Sequence, residues 1–272
     1  MRYRRGVALT GVELVLQGRQ GAVEVSRVTD SLTKTVGLLH EIDRFYASRI
    51  PRLKWVVQEA RSEVEQIRFT ITPREVPRRR DEESAAVPVR ALIEGVEVLH
   101  ERAEIPQFFG PSSVERVADL ATPGKGVFGV SIRAFNGGAR ELVPLDADVI
   151  SHARNAVMGK TTSLGSVVGI LDLISLRRRP RAAIFDPSSR RAVSLYFDVG
   201  RLEEIKGLLG RRVLAAGQLT RNDLGQPIQL HLETIEEFTT SRPNIEALAG
   251  LDRDWIGGAS IDEWIAADRR ER

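Results

Sequence analysis

Between Gly165 and Phe238 the chain alternates apolar and polar residues in five short runs, with one helical run between the third and the fourth. A period of two marks a strand buried on one face only. Five such strands in so short a segment hide their apolar faces best by curling into a small barrel. The third run places Val193, Leu195 and Phe197 inward and leaves Ser194 and Tyr196 outside. The last places Ile228, Leu230 and Leu232 inward and leaves Gln229, His231 and Glu233 outside. Gly169 falls inside the first strand, Val167 to Leu176, where a closed barrel has to bend. Leu202, Ile205, Leu208 and Leu209 give the helix an apolar face that can plug one barrel end, and Gly210 stops it. Asp186-Pro187-Ser188-Ser189 and Asn222-Asp223-Leu224-Gly225 supply the turns.

This β-β-β-α-β-β order resembles an OB-fold over residues 165–238, by element order and pattern and without a diagnostic motif. The resemblance implies an oligonucleotide-binding face on strands two and three, flanked by the loops between strands one and two and between strands four and five. Arg177, Arg178, Arg179 and Arg181 occupy the first of those loops. Arg190 and Arg191 open the third strand, and Arg221 ends the fourth. These are the candidate phosphate contacts. Tyr196 is the candidate base-stacking ring, and Phe185 is a second platform if its register turns it outward. Eleven basic against nine acidic residues leave the segment a net charge of only +2, so the expected binding is weak and electrostatic.

The first 158 residues read as an α+β domain with an antiparallel sheet and helices on one face. Glu24 to Ser48 carries apolar residues at helical spacing, and Val89 to Leu99 does the same. Ser112 and Glu115 have capping-box spacing for a helix near Ser113 to Leu120, and Asp146 can cap another that runs to about Met158. Pro73 to Pro88 holds three prolines and dense charge and reads as a loop. Asn136-Gly137 marks a tight turn. Residues 159–164 read as a linker, 165–238 as the barrel and 239–272 as a docking tail. In that tail Ser260 and Glu263 cap a short helix whose Ile261, Trp264 and Ile265 share one face. Such a helix can dock on the chain itself or on a partner. It is loosely similar to the toxin-binding tails of some bacterial antitoxins.

No local chemistry competes with these readings. The chain has no cysteine, which excludes disulfides, thiolate metal sites and cysteine nucleophiles and suits a cytoplasmic setting. No apolar run is long enough to cross a bilayer, so no membrane partner is expected. Gly124-Lys125-Gly126-Val127-Phe128-Gly129 spells GxGxxG, but the strand-before, helix-after context is missing, and it reads as a glycine-rich turn. Gly159-Lys160-Thr161 lacks the leading glycine of a phosphate-binding loop. His40, His100, His152 and His231 show no metal-ligand spacing. The expectation is therefore a non-enzymatic, two-domain binding protein without cofactor or metal. Its expected partner is single-stranded nucleic acid. A protein–protein adaptor, antitoxin-like or an immunity component, working through the N-terminal domain and the tail or through self-association, is the alternative.

Overall fold

A hydrophobic helix must find a hydrophobic sheet face, and the N-terminal half is built on that rule. The computed structural model describes residues 10–19, 21–46, 52–78, 80–135, 141–176 and 179–239. Strands β1 (Gly11–Gly18), β2 (Trp55–Ser62), β3 (Gln66–Pro73), β4 (Val127–Phe135) and β5 (Val143–Pro144) form an antiparallel sheet in the order β2-β3-β1-β4-β5. Val12, Leu14 and Leu16 of β1 lie opposite Ile71, Phe69 and Ile67 of β3 and Ala134, Ile132 and Val130 of β4. This face carries the core, which takes in Leu38, Leu39 and Ile42 of α1 (Val25–Tyr46), Leu92, Val96 and Leu99 of α2 (Glu82–Glu101), Val114 and Val117 of α3 (Pro111–Ala121), and Val149 of α4 (Ala147–Ala156). On the opposite face Glu13 is buried between two arginines, Arg133 at 3.0 Å and Arg68 at 3.8 Å.

The second sheet is a closed barrel of β6 (Thr161–Ser175), β7 (Arg181–Asp186), β8 (Arg191–Tyr196), β9 (Arg212–Arg221) and β10 (Pro227–Glu237). Its strands neighbour one another in the order β6-β7-β8-β10-β9 and back to β6. All pairings are antiparallel except β8 with β10. A short 3-10 turn (Val199–Arg201) and α5 (Leu202–Gly207) sit between β8 and β9. Val193, Leu195 and Phe197 point inward as the alternation predicts, and Ile205 and Leu230 share their core. Gly169 lets β6 pass close to β7: a Cβ there would lie 2.5 Å from the Phe185 carbonyl oxygen. The α+β class and the ring-like second sheet match the sequence reading; the predicted C-terminal helix lies outside the described residues.

Several expectations need correction. Thr161 to Leu164 belong to β6, paired with Arg221 to Gln218 of β9, so most of residues 159–164 is strand and not linker. Ile228 is buried with the N-terminal core and not in the barrel. The two halves accordingly fall in one compact unit that ends at Phe238. Helix α3 starts at Pro111 rather than Ser113, and Ser112 bonds Glu41 instead of serving as the cap.

The largest departure is Pro73 to Pro88. Helix α2 begins at Glu82, capped by Asp81, and Pro88 lies inside it. A proline there removes the N–H that would bond the Ser84 carbonyl. The Arg80 guanidinium takes that place, donating to Ser84 O at 2.7 Å. Arg80 also forms a fully buried ion pair with Asp43 of α1 at 2.6 Å, and Asp43 accepts the Leu53 N–H at 2.9 Å. A proline-rich, charged stretch thus becomes helical because a side chain replaces the missing donor.

Replacing Arg80 with Ala should cost about 3–5 kcal/mol, because Asp43 is left buried and unpaired. The loss should be about 1 kcal/mol smaller in a Pro88→Ala background, where the helix bonds Ser84 itself. Urea unfolding of the four variants measures the coupling, and strictly additive costs would refute the substitution of one donor by the other.

Candidate functional site

Residues paired directly across strands point to the same side of a sheet. On the barrel exterior this produces three rows. The first crosses Arg181 of β7, Tyr196 of β8 and His231 of β10. Ser175 of β6 extends it on one side, Gln218 of β9 and Leu164 of β6 on the other. The second row is Ala183, Ser194 and Gln229. The third is Ile170, Phe185 and Ala192.

The first row is open to solvent. The Tyr196 and His231 rings stack with centroids 5.4 Å apart and planes 21° apart. Arg181 is half-buried beside Tyr196, and Arg179 is exposed in the adjoining β6–β7 loop. Neither arginine has an ion pair among the described residues, so both charges are available. Leu164 at the far end is 76 % exposed, which gives the row an apolar edge.

The third row is covered. Phe185 does point away from the barrel interior, but Phe45 of α1 stacks on it at 4.9 Å and 8°. Phe108, from the segment between α2 and α3, lies near-parallel at 6.4 Å. Phe185 therefore serves the contact between the two sheets and is not a second base platform. Arg44 of α1 pairs there with Asp172 of β6 at 2.5 Å. Burial raises the Asp172 carboxyl above its ordinary range despite the neighbouring Arg44.

The other predicted arginines sit at the opposite end of the strands from Arg181 and Tyr196. Arg191 is spent on the contact between halves, donating to the Ile105 carbonyl and pairing with Glu104. The backbone joins here too: Phe108 N–H donates to Arg190 O, and Ala192 N–H to Phe109 O at 2.9 Å. Arg190 lies over the Phe108 ring at 5.6 Å. Arg221 donates to Gly225 O within its own hairpin, whose Asn222 reaches Ala156 O and whose Gln226 accepts the Ile105 N–H. The loop between the fourth and fifth barrel strands is thus docked on the N-terminal half. Arg177, Arg178, Ile261, Trp264 and Ile265 lie outside the described residues.

His231 is the residue that sequence reasoning left out of the site. Alternation places it outside the barrel, yet only the parallel pairing of β8 with β10 brings it against Tyr196. Of the remaining histidines, His152 bonds the Leu99 carbonyl and His100 faces Asp146 at 3.1 Å. His100, Asp146 and Asp148 bring one donor atom each within 4.8 Å of the others and are the described residues that could share a cation. Asp146 is already occupied as the α4 cap, accepting from the backbone of Asp148 and Val149. Gly124 to Val127 is a tight turn with positive φ at Lys125 and Gly126, as the glycine-rich reading expects. No described helix is long and apolar enough to cross a membrane.

No protein-family model, curated protein or solved structure matches this chain.

The Asp186 turn sets where β8 begins. Burial opposes ionisation of its carboxyl, but the hydroxyls and amides of Ser188 and Ser189 outweigh this and hold it below the usual range. A lowered folded-state value stabilises the fold above the unfolded carboxylate value and is lost as pH falls through it. The stability difference between the wild type and Asp186→Asn should therefore be flat above about pH 5 and shrink below about pH 4. Unfolding free energies across that range test this, and a difference that does not change with pH would refute it.

Proposed function

We propose that the barrel is an OB-fold and that this chain is a cytoplasmic, non-enzymatic protein that binds single-stranded nucleic acid weakly through the first row. The observation that carries this reading is the stacked Tyr196–His231 pair in register with Arg181 and next to the arginine-rich β6–β7 loop. The strand order supports it, because the third and fifth barrel strands are parallel neighbours and the helix falls between the third and fourth. Rings offer a sequence-tolerant face for bases, and unpaired guanidiniums attract the phosphates beside them. Arg179, Arg181, Tyr196 and His231 are the proposed contacts among the described residues, joined by Arg177 and Arg178 of the same loop.

Duplex fits this surface poorly, because its bases are already stacked and cannot lie on Tyr196 and His231. Arg190, Arg191 and Arg221 drop out of the proposed interface, since they lie at the other end of the strands and two of them are held by internal bonds.

Fluorescence anisotropy with labelled single-stranded DNA, single-stranded RNA and duplex DNA tests the proposal. Tyr196→Ala should weaken single-strand binding by about 1–3 kcal/mol. Arg181→Ala should lower the salt slope by about 0.7 for a single strand. Arg190→Gln and Arg221→Gln should change neither. Failure to bind at low salt, or equal sensitivity to all four substitutions, would sink this reading and leave the adaptor role as the one to pursue.

A further inference from the structure

The covered end of the barrel face borders a cleft that the nucleic-acid reading does not use. It has two lobes that share Tyr46, Phe108 and Arg190. The smaller, of about 320 Å³, is walled by Phe45, Ile170, Phe185 and Pro187. The larger, of about 490 Å³, is polar and lies along α2. Both volumes fall in the range of small-molecule pockets, and junctions between packed units are where such pockets concentrate.

Two features mark this cleft as more than a packing gap. Phe108 and Arg190 hold φ of 63° and 55°, two of three non-glycine residues with positive φ among those described. Such strain costs free energy and persists where the surroundings over-determine it, often at ligand clamps. Here the backbone bonds of residues 108, 109, 190 and 192 fix both residues. The second feature is charge left unused. Glu83, Val87, Arg90 and Glu94 follow one another at steps of four, three and four, so they share the face of α2 that lines the larger lobe. Glu83, Arg90, Glu94 and Arg190 have no ion-pair partner among the described residues.

An aromatic lobe joined to a lobe with free cations and free carboxylates is complementary to one kind of molecule. We propose that this cleft binds a zwitterionic aromatic compound of the α-amino-acid type. The ring enters the lobe of Phe45, Phe108, Ile170 and Phe185. The carboxylate meets Arg190 and Arg90, and the ammonium meets Glu94, one turn beyond Arg90 on α2. Each charge on the ligand then finds an opposite charge that has no internal partner.

Isothermal titration of the full chain with four probes separates the parts of this claim: L-phenylalanine, L-alanine, phenethylamine and phenylacetate. L-Phenylalanine should bind, and each of the others, lacking the ring, the carboxylate or the ammonium, should bind at least about tenfold more weakly. Arg90→Gln lies on the exposed side of α2, so the fold should survive, and it should weaken L-phenylalanine by about tenfold. Thermal melting of that variant checks the fold. Absence of heat with L-phenylalanine at millimolar concentration would overturn the proposal. So would equal affinity for phenethylamine or phenylacetate, or an unaffected Arg90→Gln protein.

Discussion

The Arg80 guanidinium is the contact on which the N-terminal half depends. It neutralises Asp43 where neither side chain reaches water, and it supplies the hydrogen bond that Pro88 cannot give to Ser84. Removing two charges from water is expensive, so such a pair holds only when its remaining polar atoms are also satisfied. Asp43 meets its part of that condition through the Leu53 N–H, while the buried Arg80 Nε has no hydrogen-bond partner among the described residues. One ion pair thereby ties together α1, the chain entering β2 and the first turns of α2. Those turns carry Glu83, Val87 and Arg90, so Arg80 positions part of the cleft wall without itself lining the cleft.

A second set of contacts turns two sheets into one unit. Arg191 with Glu104, Arg44 with Asp172, and the backbone bonds of Phe108 and Ala192 all cross between the halves. Phe45, Phe108 and Phe185 fill the space between them. The consequence for function is selective. The start of β8 and the β9–β10 hairpin take part in the contact, while Arg179 and the row of Arg181, Tyr196 and His231 stay open. A barrel of this kind standing alone would offer both ends of its face; this one offers half.

How much of this was legible follows from how local each feature is. Strand alternation is local, so Val193, Leu195 and Phe197 were readable as barrel core and Tyr196 as exterior. The α1 stripe and the Asp146 cap are local as well. Pro88 inside α2 was not readable, because its missing donor is replaced by a side chain held through Asp43, far away in sequence. The register of Phe185 was left open by the sequence; it does turn outside the barrel, yet its burial depends on Phe45 arriving from α1. Ile228 has the right parity for the barrel interior but sits at a strand start next to the N-terminal core. His231 needed the parallel pairing of strands that are not consecutive. Each miss is a tertiary partner overriding a local pattern.

The same division keeps the two proposed ligand sites apart on one barrel. Along β7 and β8 the rows change from open and basic at Arg181–Tyr196 to enclosed and aromatic at Phe185–Ala192. A polymer needs an unobstructed surface along which to extend, and the first row, unlike the third, is not covered by Phe45 and Phe108. A small molecule gains from enclosure, because walls on several sides bury more of it. The helical half therefore closes one end of the barrel face to extended ligands. In doing so it builds, with Tyr46, Phe108 and the exposed side of α2, the walls of the cleft.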